Sequence, residues 1–131
     1  MIVLDTNVWV RYVTNDDQLQ ARRAIKLLES GSGIFLPKTI LLELEWVLRA
    51  VYALDAVAIQ SALLHILGLP MVTVETPHQV AQALNGYKNG LDFADALHLA
   101  ASEGAETLYT FDERFVRKAR QAMPVVKAVP R

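Results

Sequence analysis

Cysteine is missing from this chain of 131 residues, which excludes disulfides and thiolate metal sites and fits a cytosolic location. Histidine is scarce: there are three, His65, His78 and His98, and they fall in separate predicted helices. An imidazole-rich zinc site is therefore disfavoured. A basic excess is also missing. Lys and Arg number 13 against 14 Asp and Glu, for a net charge of −1. That balance speaks against a passive binder that holds nucleic acid by charge neutralisation, and leaves open an enzyme acting on it. No stretch approaches the ~18 uncharged apolar residues of a membrane span. The opening Met1-Ile2-Val3-Leu4-Asp5 has no basic region before its apolar run, as a secretory signal would have. Internal repeats, low-complexity segments and linkers are lacking.

Apolar material is plentiful. At 53% hydrophobic and 21% charged, the chain can bury one core, so a single domain over 1–131 is expected. Short apolar runs alternate with helical patterns. Strands are predicted at Ile2-Val3-Leu4, Ile34-Phe35-Leu36, Met71-Val72-Thr73-Val74, Thr107-Leu108-Tyr109-Thr110 and Val125-Val126. Helices are predicted over 7–14, 18–30 capped by Asp16 or Asp17, 39–52, from the Asp55 cap to 67, and 77–87 with Pro77 at its start. Two more follow, from Asp92 to Gly104 and from Asp112 to about Met123. Strands separated by helices imply parallel pairing through crossovers. The expected class is α/β, a single α/β/α sandwich around a central, mostly parallel sheet of four to five strands.

Chemistry in such folds collects at the carboxyl ends of the strands. Asp5 directly follows the first strand, Asp112 follows the fourth by two residues, Asp92 and Asp95 open the helix feeding that strand, and Glu43 lies one turn into the helix after the second. Each has a plain structural role available. Asp112 and Asp92 can be helix caps, Asp95 a first-turn acid, and Asp5-Thr6-Asn7 a turn. Glu43 stands out: its helical neighbours Thr39, Ile40, Trp46 and Val47 include no base, whereas Glu45 has Arg49 four residues on and can be a surface residue. A carboxylate in an apolar stripe is costly unless paired or bound to metal. Gathered acids repel, by about 4 kcal/mol for two charges ~4 Å apart at an effective dielectric near 20. They require protons or a cation, and all-oxygen ligation favours Mg2+ or Mn2+ over zinc. His98, one turn after Asp95, could support such a site.

Four segments, Ile2-Val3-Leu4-Asp5-Thr6-Asn7, Leu41-Leu42-Glu43-Leu44-Glu45-Trp46-Val47-Leu48, Asp92-Phe93-Ala94-Asp95-Ala96-Leu97 and Thr110-Phe111-Asp112-Glu113-Arg114-Phe115, resemble in this order the PIN-domain nucleases, most closely VapC toxins of prokaryotic toxin–antitoxin pairs. The resemblance covers nearly the whole chain. It implies a PIN-like fold, endoribonuclease activity on structured RNA, and acidic metal ligands at Asp5, Glu43, Asp95 and Asp112. It gives Asp92 as a less regular extra acid, with Asn7 and Thr110 as flanking polar positions. It also implies a cognate VapB-like antitoxin and oligomers, a homodimer or larger. Surplus apolar positions on the helices carrying Trp46, Leu48, Val51 and Tyr52, then Ile59, Leu63 and Ile66, could serve such a partner or a generous core.

The expected chemistry is hydrolysis of an RNA phosphodiester. Glu43 would either ligate metal or orient the attacking water. Arg11, Lys38 and Arg114, near the same edge, would guide RNA; Arg117 and Lys118 also follow Asp112. Two rivals remain. A haloacid-dehalogenase-type phosphatase needs a second aspartate where this chain has Asn7, and a lysine where none stands between Lys88 and Lys118. A non-catalytic RNA-binding or scaffold module would have no use for the full set of acids.

Overall fold

In the computed structural model, which describes residues 1–131, the expected alternation of short strands and longer helices is present. The chain divides into two units, Met1–Pro77 and His78–Arg131. No helix is long and apolar enough to cross a membrane.

The first unit contains α1 (Thr6–Thr14), α2 (Gln18–Leu28), β1 (Ile34–Leu36), α3 (Lys38–Ala50), α4 (Ala56–Leu67) and β2 (Val72–Val74). Of the two candidate caps for α2, Asp17 does the work, its Oδ1 accepting from the Gln20 N–H at 3.0 Å, and Asp55 caps α4 in the same way at 2.8 Å. β1 and β2 pair in parallel, Ile34 opposite Val72 and Leu36 opposite Val74. The segment at 2–4 adds only one parallel bridge, Ile2 to Ile34. Asp5 explains the brevity: it is the N-cap of α1, so the extended run ends before a ladder can grow. The core is built from Trp9, Ile34, Leu36, Leu41, Leu44, Leu48, Ile59, Leu63 and Ile66, all fully buried. α1 packs on α2 and α3, and α4 on α3 and β2. The apolar surplus on α3 and α4 divides. Leu48, Ile59, Leu63 and Ile66 enter the core, whereas Trp46, Val51, Val57 and Leu64 are more than half exposed.

The second unit takes in α5 (Pro77–Lys88) from its second residue onward, α6 (Phe93–Ala101), β3 (Thr107–Thr110), α7 (Glu113–Lys118) and β4 (Val125–Ala128). Leu99, Phe115, Ala119 and Val126 form its buried cluster, with Leu91, Leu108, Val116 and Ala122 against it. Tyr87 and Phe93 meet edge to face, ring centres 5.3 Å apart. α5 closes on the start of α6 at Gly86. A Cβ there would stand 3.0 Å from Leu91 Cδ1 and 3.3 Å from Ala96 Cβ, so a larger residue would require these side chains to yield by a few tenths of an ångström. β3 and β4 pair in parallel, Thr107 opposite Val125 and Thr110 opposite Ala128.

The α/β class and the parallel pairing are as expected. The sheet differs: the strands form two parallel pairs, β1–β2 and β3–β4, and not one continuous ladder of four to five. The strands are three or four residues long and offer few ladder bonds each. α7 also stops at Lys118, short of the predicted end near Met123.

Candidate active site

The first unit carries Asp5, Asn7 and Glu43. Asp5, an exposed residue, follows the extended 2–4 segment and caps α1, its Oδ1 accepting from the Thr6 N–H at 2.8 Å while Oδ2 is uncommitted. The cap role and a ligand role are therefore compatible. Asn7 is exposed in the first turn of α1. Glu43 is exposed on α3 and makes no hydrogen bond or ion pair.

The burial expected of Glu43 belongs instead to Glu45. Leu41, Leu44 and Leu48 define the inward stripe of α3 by their complete burial, and position 45 falls on it. Glu45 is 2% exposed and is held by Arg49, whose Nε donates to Oε2 at 2.9 Å and Nη2 to Oε1 at 3.3 Å. The stripe of Thr39, Ile40, Glu43, Trp46 and Val47 is the outward one, although three of its members are apolar. Glu43 is thus solvent-exposed and has no polar partner.

The basic residues expected to guide RNA are redistributed. Arg11 is occupied: Nη1 donates to Asp16 at 2.9 and 3.0 Å and to Tyr52 Oη at 3.2 Å, and Nε to Gln20 Oε1 at 2.7 Å. The hydrogen bond that Arg11 donates to Asp16 raises the Arg11 pKa. Hydrogen bonds from Tyr52, then Thr14, then Arg11 hold the Asp16 carboxyl down at about 2. Arg11 thus ties α1 to the start of α2 and to Tyr52. Lys38 begins α3, half-buried, with its backbone N–H donating to Glu75 Oε1 at 2.9 Å. Two cations of α2 that sequence reasoning missed, Arg23 and Lys26, make no ion pair. A cavity of about 780 Å³ opens between α1 and α2; its lining includes Asn7, Arg11 and also Arg23 and Lys26, which are exposed and have no acidic partner. Their spacing of three on α2 was the available signal.

The second unit carries Asp92, Asp95, Asp112 and Thr110. Asp92 is the exposed N-cap of α6, with Oδ2 accepting from the Asp95 N–H at 3.3 Å. Asp112 is the exposed N-cap of α7. Its Oδ1 accepts from the Arg114 and Phe115 N–H groups at 2.9 and 3.2 Å, and Oδ2 is uncommitted. Thr110 orients this turn, its Oγ1 accepting from the Asp112 N–H at 3.0 Å. Asp95 caps nothing. It is half-buried in the first turn of α6 and accepts no hydrogen bond. Burial raises its pKa, and the negative charges of Asp92 and then Asp112 raise it further, with His98 opposing. Arg114 is exposed and free of acidic partners.

No group of three or more His, Asp or Glu side chains is arranged to hold a metal ion as it stands. The donor chemistry nevertheless suits a hard cation. The available atoms are carboxylate oxygens, Asp95 accepts no hydrogen bond, and Asp5 and Asp112 each keep one oxygen free. A cation near Asp95 would relieve the repulsion that now opposes its ionisation.

Residues 2–121 match the family model described as PIN domain, a span that runs through both units. No curated protein matches the chain.

Proposed function

The chain belongs to the PIN-domain family, whose members are generally nucleases and commonly act on RNA, and from that premise we propose that it is a Mg2+- or Mn2+-dependent endoribonuclease. Asp5, Glu43, Asp95 and Asp112 are the proposed acidic ligands, with Asp92, Asn7 and Thr110 in support. The observation that carries this is Asp95. The ionised form of this half-buried carboxylate accepts no hydrogen bond and is opposed by burial and by the charges of Asp92 and Asp112, so it favours either a proton or a cation.

A divalent ion bound there supplies acidification of a water and charge neutralisation at the phosphoryl oxygens. The chain's own groups do the rest. Asp95 and Asp112 fix the donor positions, the latter through its cap bonds. Glu43, exposed and unpartnered, is free to ligate or to accept a proton from the attacking water. Arg23, Lys26 and Arg114 offer unpaired positive charge to the phosphate backbone. Hydrolysis by activated water leaves a 5′-phosphate and a 3′-hydroxyl.

We further propose the biological setting of a VapC-type toxin held by a VapB-like antitoxin, with self-association into a homodimer or larger assembly. The motif order supports this, as do the exposed Trp46, Val51, Val57 and Leu64, which form more apolar surface than a lone unit needs.

The test is cleavage of end-labelled RNA by purified protein. Activity should require Mg2+ or Mn2+, vanish with chelator, and fall by about a hundredfold or more in Asp5→Asn and Asp95→Asn with the fold intact by circular dichroism. Undiminished cleavage by Asp5→Asn removes that residue from the site. A 2′,3′-cyclic phosphate product rejects the mechanism, and binding of RNA without cleavage under any divalent ion returns the chain to a non-catalytic module.

A further inference from the structure

We propose that Phe111 is a positioning residue: one nucleobase of the substrate RNA stacks on its ring and so sets the scissile phosphodiester beside Asp112. This deepens the nuclease function proposed above and rests on it. Phe111 is 86% exposed, more than any other large apolar side chain of the chain. An aromatic ring left in water gives up the benefit of burial, and nothing in its local structure demands that. The backbone on both sides of it is pinned. The Thr110 hydroxyl accepts from the Asp112 N–H, and Asp112 Oδ1 accepts from the N–H groups of Arg114 and Phe115. The ring is presented from a fixed turn and has only its own two side-chain torsions to lose on contact.

Its neighbours indicate a nucleobase. Tyr109, two residues earlier at the end of β3, is 57% exposed. Arg114, three residues later, carries an exposed guanidinium with no acidic partner. Aromatic rings interleaved with a free cation are the chemistry that holds unpaired bases, the rings on the π-faces and the cation on phosphate. A protein partner would call for a continuous apolar surface, whereas Phe111 is flanked in the chain by Thr110, Asp112, Glu113 and Arg114. Asp112 is the adjacent residue, and its Oδ2 stays uncommitted beside the cap bonds made by Oδ1. A base stacked on Phe111 therefore brings its own sugar–phosphate to that carboxylate.

The experiment uses the full chain and a mixed-sequence single-stranded RNA oligonucleotide carrying 2-aminopurine at its centre. In EDTA, where cleavage is off, binding by the wild type should quench the probe. Phe111→Ala should abolish the quenching and weaken binding by roughly five- to a hundredfold. Phe111→Trp should restore both, and Phe111→Leu, apolar without a π-face, should behave as the alanine variant does. With Mn2+ present the loss should fall on KM more than on kcat, while thermal midpoints agree across the set. Quenching and KM unchanged in Phe111→Ala, or Leu as effective as Phe, overturns the stacking role and leaves Phe111 to a protein partner. If the wild type quenches the probe but never cleaves RNA, the nuclease function fails while stacking stands. If it cleaves and Phe111→Ala cleaves equally well, only the stacking fails.

Discussion

Asp16 and Asp95 are both aspartates near a helix start, and their surroundings push them in opposite directions. Asp16 accepts from Tyr52 at 2.7 Å, from Thr14 at 2.9 Å and from Arg11, so its charged form is favoured and its pKa falls from 3.8 to about 2. A depressed carboxylate adds stability above its unfolded value, and that contribution is lost as pH falls through the folded one. The Asp16 contribution is thus present at neutral pH and disappears between about pH 4 and pH 2. A carboxyl NMR titration should give a midpoint near 2, and Tyr52→Phe, which removes the first of the causes, should move it toward 3.8. A wild-type midpoint already at 3.8 would show that the cluster does not hold in solution. Asp95 has no such donors and is raised by burial and by Asp92 and Asp112. Sequence alone placed Asp16 only as an alternative cap, because its partner Tyr52 is 36 residues away. It misjudged the Glu43 and Glu45 pair for a related reason. A salt-bridge partner four residues on is equally compatible with a surface acid and with a buried one, and the inward stripe of α3 is set by Leu41, Leu44 and Leu48.

At the level of elements, the acids at helix starts show that capping and ligation need not compete. Asp112 uses Oδ1 for the N–H groups of Arg114 and Phe115, and α7 is only six residues long, so the cap matters to whether the helix forms. Asparagine caps about as well as aspartate and carries no charge. Asp112→Asn should therefore change unfolding free energy by no more than about 0.5 kcal/mol, while Asp112→Ala should cost about 1 kcal/mol. Cleavage should drop in both, by about a hundredfold or more. Asp17→Ala, which removes the α2 cap, should show the same stability loss with cleavage retained. Urea denaturation alongside the cleavage assay reads all three. Full activity in Asp112→Asn would leave this residue as a cap alone. These caps were legible beforehand because Asp before a periodic apolar run is a local signal, as were four of the five predicted strands, β1 to β4, and the order of helices between them. The sheet was less legible. Ile2-Val3-Leu4 has strand composition, but the turn into α1 at Asp5 cuts it to a single bridge with Ile34. Ladder length depends on where a chain must turn, which residue preference does not encode.

For the molecule as a whole, the acids should make stability depend on divalent ions. Net charge is only −1, so bulk screening of the whole chain has little to relieve. The repulsion is local to groups such as Asp92, Asp95 and Asp112. An ion that binds the folded chain and not the unfolded one stabilises it by RT ln(1 + [L]/Kd), about 2.7 kcal/mol at a hundred times Kd. Competing capture by the unfolded chain is weak here, since there is no cysteine and there are only three histidines. For a chain of this size that free energy corresponds to roughly 10 °C in thermal midpoint. Saturating Mn2+ or Mg2+ should therefore raise the midpoint by about that amount over KCl at equal ionic strength, and EDTA should reverse it. Asp95→Asn should behave differently in both states. Removing a disfavoured charge raises the midpoint of the metal-free protein, and the lost ligand shrinks the divalent increment. A stability gain in EDTA with the increment intact would mean that Asp95 is strained for some purpose other than holding a cation. An increment equal to that of KCl in the wild type would remove the divalent ion from the site entirely.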